Sequence, residues 1–496
     1  MTLPVELQGL HEQVRDVAAS YGLDCFETIF EMVDWDEMNQ IAAYGGFPKR
    51  YPHWRFGMTY DQLSKSYTWG LQKIYELVIN NDPCYAYLLK GNTFMDHKLV
   101  MAHVYGHCDF FKNNLWFKPT NRRMVDELAS HAVRVQRHVD ANTHDEVEEF
   151  LDSCLSIENL IDIHAQYAPT NGAAARESED TPRGEVVRFK AKAYMDRFIN
   201  PPEFIAEQRR KIEEDEKRPP RLPARPQRDV LQFLMESAPL KSWQRDVLAM
   251  VREEAYYFAP QGLSKIMNEG WASYWHSTMM TQDLLAPDEF IDYAKRHSGA
   301  MAVQPGQLNP YKLGIELYRD IEERWNKGRF GKEYEECDDR DVKHNWDTGL
   351  MEGRRRIFEV RAIYNDVTFV DEFLTPGFCE RQRLFTYEFN PKTGRREITG
   401  RDFHEIKSRL LSSLANNGHP LIEVLDANFG NRGELLLIHR HDGEDLHGGY
   451  AAETLYHLHR IWSRPVHLET IVSDQARRLS YDGSQTANEE IPALSS

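Results

Sequence analysis

The chain has 496 residues, 41% of them hydrophobic and 11% aromatic, enough for two or three packed domains. Its 60 Lys and Arg against 78 Asp and Glu leave a net charge of −18, which excludes an extended nucleic-acid surface, because that binding rests on basic groups neutralising phosphates. No apolar run reaches the roughly 18 residues of a membrane span, and the start, Met-Thr-Leu-Pro-Val-Glu-Leu-Gln, lacks the basic and apolar regions of a secretion signal, so a cytoplasmic protein without membrane insertion is expected.

Residues 5–23 place Leu7, Leu10, Val14 and Val17 near helical spacing. The segment 44–57 is turn-rich and aromatic, suited to wrapping a core or walling a cleft, and 60–79 reads as a helix ended by Asn80-Asn81-Asp82-Pro83. Residues 84–90 are a short strand or an extended lead-in. Helices are predicted over 98–111, 121–141 and 143–164. A polar loop at 169–185 and a stiff spacer rich in proline and charge at 207–228 interrupt the pattern. Helical patterning resumes from Asp229, through 230–235, 243–259, 287–297, 309–326 and 342–360. From 364 the composition shifts: strands are predicted at 367–370, 383–389, 421–426, 434–439 and 466–470, with helices at 403–416 and 451–462. The expected fold is mainly α: a large helical, zincin-like domain over 1–363, a small α+β domain over 364–480, and a disordered tail over 481–496.

The chemistry concentrates in Val100-Met101-Ala102-His103-Val104-Tyr105-Gly106-His107. Histidines four apart on a helix share a face, with Cβ atoms about 5–6 Å apart, close enough for both imidazoles to bind one ion. The same spacing also serves two core histidines hydrogen-bonded to neighbours. Val104 stands where the zinc motif H-E-x-x-H carries its general base. Far downstream, Asn268-Glu269-Gly270-Trp271-Ala272 resembles the glutamate-bearing helix of gluzincin metallopeptidases, with His276 two turns beyond Glu269 and Asn268 suited to a helix cap. His103, His107 and Glu269 are the expected ligands, and His276 a fourth ligand or an orienting partner. Water activation would fall to another carboxylate, Glu254 or Glu127; without one, the ion would be structural. Glu127 and His131 lie four apart, and with Glu158 form candidate orienting groups or a second metal site. Zinc fits the donor set best, with iron or manganese as alternatives. The six cysteines are scattered without a CxxC pair, which fits reduced thiols and leaves only Cys108, beside His107, as a weak candidate ligand.

Several strings are similar to the stage V sporulation protein R family: His103-Val104-Tyr105-Gly106-His107 with Asp109-Phe110-Phe111-Lys112-Asn113-Asn114, Ser156-Ile157-Glu158-Asn159-Leu160-Ile161-Asp162, Glu254-Ala255-Tyr256-Tyr257-Phe258 with Pro260-Gln261, and the 268–276 run. The resemblance spans nearly the whole chain. It implies a bacterial cytoplasmic protein linked to spore cortex (peptidoglycan) formation or to stress, with a PrkA-type serine kinase and an associated protein as partners. It supplies no mechanism. Three functions therefore stand open: a metal-dependent hydrolase of an amide bond, a non-enzymatic regulator or scaffold in a kinase complex, and a di-metal oxidoreductase drawing on His103, His107, Glu127, His131, Glu158 and Glu269.

Overall fold

The run Phe94–Asn113 forms a 20-residue helix, here the histidine helix. A reciprocal cap fixes its start: the Asp96 backbone N–H donates to Thr93 Oγ1 at 3.2 Å, and the Thr93 N–H donates to the Asp96 carboxylate at 3.1 Å. From Met95 to Phe111 every residue but Leu99 is buried, so this is a central helix surrounded by protein and not an amphipathic surface one.

Against it packs Lys265–Met279, the glutamate helix. Glycines set its distance from both neighbours. A Cβ on Gly106 would lie 2.5 Å from Ala272 Cα, and a Cβ on Gly270 would lie 2.4 Å from Gly314 Cα. Gly314 belongs to the helix Pro310–Lys327. The glutamate helix is thus held backbone-to-backbone on two sides. Trp271 Nε1–H donates to Asp109 Oδ2 at 2.8 Å, a buried tie back to the histidine helix. At the other end, the Asp366 carboxylate accepts the Ile266 and Met267 N–H groups at 2.8 and 2.9 Å, satisfying donors that the first turn of any helix leaves open. Trp271, Trp275, Tyr318, Phe369 and Phe373 fill the surrounding core.

The computed structural model describes residues 3–68, 76–167, 201–216, 221–303 and 306–495. The chain divides into two units, neither continuous in sequence: residues 1–159 with 241–419, and residues 160–240 with 420–496. The boundary therefore falls at 419/420, not at 363/364, and a middle segment joins the C-terminal unit. The predicted loop at 169–185 lies outside the described residues, as do 217–220 of the spacer. The first unit carries a sheet ordered β1-β3-β2, from β1 (Thr28–Val33), β2 (Glu76–Ile79) and β3 (Cys84–Leu89). β1 runs parallel to β3, and β2 antiparallel to it. Only β3 was expected, as one of two readings of 84–90. The helix predicted over 60–79 ends at Thr68, and its last apolar residues are β2. Residues 367–370, predicted as a strand, lie in the helix Asp366–Phe373, because Asn365 and Thr368 build a capping box at its start.

β4 (Thr386–Asn390), which overlaps the predicted strand at 383–389, pairs antiparallel with β5 (Arg395–Gly400) as a hairpin. The second unit carries a five-stranded sheet ordered β10-β9-β8-β7-β6, from β6 (Ile422–Phe429), β7 (Glu434–His439), β8 (Val466–Val472), β9 (Gln475–Tyr481) and β10 (Thr486–Glu490). The parallel pair β7 and β8 is joined by the helix Gly448–Trp462, as a parallel connection requires. Residues 481–496, expected to be disordered, supply β10, and Leu494 packs on the Leu425–Leu436–Ile438 core. Among the described residues no helix is long and apolar enough to cross a membrane.

Two outcomes test this packing. Gly106→Ala drives a methyl into Ala272 and should cost about 3 kcal/mol in urea denaturation; Gly9→Ala, on a helix with nothing within 4 Å, should be neutral or stabilising by up to about 1 kcal/mol. Burial raises the Asp366 carboxyl from 3.8 to about 7. The folded protein holds that proton to higher pH than the unfolded chain, so wild-type stability relative to Asp366→Asn should decline as pH climbs from 3.8 to about 7. A pH-independent difference between the two proteins would refute this.

Candidate metal centre

His103 and His107 project from one face of the histidine helix, their ring centroids 4.6 Å apart. Glu269 reaches across from the glutamate helix. Its Oε2 lies 3.6 Å from His103 Nε2 and 3.6 Å from His107 Nε2. Bonds of about 2.1 Å at tetrahedral angles separate donor atoms by about 3.4 Å, so this spacing suits one ion. Glu269 Oε2 makes no hydrogen bond, although the atom is buried. A buried carboxylate oxygen left that way is costly unless a cation meets it.

The far side of each ring is held by a partner. His107 Nδ1–H donates to Asn268 Oδ1 at 2.9 Å, which leaves the Nε2 lone pair facing Glu269. His103 Nδ1 bonds His276 Nδ1 at 2.7 Å, and His276 Nε2 bonds His297 Nδ1 at 3.1 Å. Two tautomer sets satisfy that line: with His103 donating to His276 and His276 to His297, the Nε2 of His103 offers a lone pair to an ion, and with the protons reversed Nε2–H faces Glu269. Burial, and then the neighbouring His103, push His107 down to about 4. Burial holds His276 well below its ordinary value. Burial alone would raise Glu269, but the two imidazoles and the Tyr311 hydroxyl more than reverse this, and its pKa is lowered. Neutral imidazole and ionised carboxylate are the forms that bind a metal.

The structure thus brings His103, His107 and Glu269 together and places His276 behind His103 as an orienting partner. Asn268, expected as a helix cap, sits inside the glutamate helix and orients His107. Glu254 is not at this site. Its Oε1 accepts from His131 Nδ1 at 3.0 Å, and its Oε2 meets the Arg50 guanidinium and the Tyr51 hydroxyl, so it has no oxygen to spare as a base for the centre. Glu127 and His131 gather separately with Glu253. Glu158 belongs to neither group and pairs with Arg55 at 3.0 Å. Cys108 is buried against the Thr28 hydroxyl at 3.5 Å and joins neither set. Sequence reasoning missed His297, Tyr311 and Asp366. None falls in a spacing motif with the ligands, and each comes from another helix.

The family described as SpoVR like protein matches residues 3–419, and the SpoVR-like C-terminal domain matches residues 420–473. Their junction coincides with the boundary of the two structural units. The protein YcgB of Escherichia coli (strain K12), described as uncharacterized, is 29% identical over 481 residues, which is 92% of this chain and 90% of that protein. No solved structure matches the chain significantly. Both parts of one family follow each other here in order and nearly without remainder: the chain belongs to the SpoVR family.

Proposed function

We propose that this protein is a metal-dependent hydrolase of an amide bond, with its ion held by His103, His107 and Glu269. The observation that carries the reading is the convergence of those three donors, with Glu269 Oε2 at 3.6 Å from both imidazoles. Three protein ligands with a position left over is the zincin-like arrangement; two histidines and one carboxylate hold zinc in such enzymes, and the same donor set also takes iron. A divalent ion there supplies Lewis-acid activation of water and of a carbonyl. That activation lowers the demand for the base that Val104 replaces. The chain's own residues do the rest: Asn268 and His276 hold the rings in register, and Tyr311 places a hydroxyl beside Glu269, able to donate to a carbonyl oxygen. The family link to sporulation points to an amide in a peptidoglycan precursor as substrate.

A second reading is favoured by Val104 being buried in the base position while Glu254 is engaged elsewhere. In it the ion clamps the two helices, and the protein is a regulator or scaffold in a complex with a PrkA-type kinase.

Metal analysis of purified protein separates these readings from each other and from their failure. His103→Ala and Glu269→Gln should each carry one equivalent fewer than wild type, and amidase turnover of a peptidoglycan precursor should fall at least ~100-fold. Loss of metal and thermal stability without any turnover in wild type supports the clamp. A folded wild type free of metal ends both.

A further inference from the structure

We propose that the chain binds a second divalent cation, between Glu127, His131 and Glu253. This site shares no residue with the first and does not depend on it.

Glu127 and His131 lie four apart on the helix Met124–Ala141, and Glu253 comes from the helix Ser242–Leu263. One donor atom from each lies within 4.8 Å of the others. His131 Nε2 is 3.5 Å from Glu253 Oε2, close to the ligand separation of about 3.4 Å expected around one ion. His131 is fully buried, and its Nε2 makes no hydrogen bond.

The reason lies on the other edge of the ring. His131 Nδ1 is 3.0 Å from Glu254 Oε1, and Glu254 Oε2 accepts from the Arg50 guanidinium and from the Tyr51 hydroxyl at 3.2 Å. With Glu254 Oε1 as the acceptor, Nδ1 carries the proton, and Nε2 can then offer its lone pair on the side where Glu127 and Glu253 present their oxygens. Three acceptors converging without a donor repel one another, and a cation turns that repulsion into coordination. A carboxylate behind a ligating histidine is a recurrent orienting device, which gives buried Glu254 a positioning role. The Glu253 side chain is 45% exposed, so an ion has a path from solvent and positions left for water. One nitrogen and two carboxylate oxygens without sulfur suit Mn²⁺ or Zn²⁺.

The test uses the full chain, loaded with Mn²⁺ or Zn²⁺ alone, dialysed, and analysed for bound metal. Wild type should hold two ions. Glu127→Gln/Glu253→Gln alters two solvent-accessible groups and should hold one; Glu158→Gln should still hold two. His103→Ala/His107→Ala should also hold one, and adding the two glutamine substitutions to it should leave none. Should the His103→Ala/His107→Ala protein keep an ion that those substitutions remove, this site stands even if wild type holds only one, and the first reading falls. Should the His103→Ala/His107→Ala protein, folded by circular dichroism, hold no ion, the second site is overturned and the first stands. Metal-free wild type overturns both. An ion retained by Glu127→Gln/Glu253→Gln in the His103→Ala/His107→Ala background also overturns this site.

Discussion

The centre depends on how closely two helix backbones approach. Helices packed through ordinary side chains sit about 8–10 Å apart, and Glu269 must bring one oxygen within 3.6 Å of two imidazoles on its neighbour. Gly106 lies on the face that carries His103 and His107, three residues after one and directly before the other. Ala272 lies on the face that carries Glu269, one turn on. The contact that lets the helices close is therefore made beside the donors that need it. Gly270 against Gly314 does the same on the opposite side, where a Cβ would lie 2.4 Å from a backbone carbon. Each helical glycine costs about 1 kcal/mol in propensity, a loss that the buried aromatic core around Trp271 and Tyr318 offsets.

Electrostatics then decides what that closeness is for. A carboxylate in a mostly buried setting, with only 19% of its side chain exposed, needs compensation. Here its nearest partners are imidazoles, and His107 is pushed down to about 4 and so is neutral near pH 7. A neutral His107 ring gives Glu269 a dipole but no full positive charge. The His107 Nδ1–H is already committed outward to Asn268, and His103 Nδ1 is engaged with His276. The Tyr311 hydroxyl reaches one side of the carboxylate, and Oε2, the oxygen between the two rings, is left without a hydrogen bond. A cation answers that arrangement better than any rearrangement of hydrogen bonds within it.

The histidine pair was legible because it obeys rules that act along a helix: a four-residue repeat puts two histidines on one face, and the apolar run around them marks that helix as buried. The helices that frame the site were legible for the same reason. What was not legible depends on contacts across the fold. Val367-Thr368-Phe369-Val370 has strand propensity, but Asn365 caps a helix there and Asp366 is used to hold the glutamate helix. The apolar run 76–79 continues a helical pattern in sequence, yet it pairs with β3. Short apolar runs carry no period long enough to tell the two apart. The domain boundary was misplaced because a composition shift at 364 marks the last helices of the first unit, and because the second unit borrows 160–240 from upstream, which no linear reading reveals. His297 and Tyr311 act through partners on other helices, and sequence offers no spacing between them and the ligands.

Glu253 and Glu254 show how finely position decides chemistry. They are neighbours in sequence, separated by about 100° around the helix. One is 45% exposed; the other is 4% exposed and locked against Arg50, Tyr51 and His131. Sequence alone offered Glu254 or Glu127 as the base, since Val104 stands where the zinc motif carries its own. Burial reverses the assignment. A base must release and regain a proton, and Glu254, with both oxygens engaged and a guanidinium beside it, is held in one state. What it can do is fix the ring of His131. The two histidine systems then differ in kind. Asn268, a neutral acceptor, orients His107 without changing its charge, whereas Glu254, an anion, pushes electron density into His131 and makes its Nε2 the stronger donor. A carboxylate-rich site with a strengthened imidazole and an open side toward solvent suits a harder ion in exchange with water. On the proposed reading, the enclosed His103–His107–Glu269 cluster would hold its ion with fewer positions open to water.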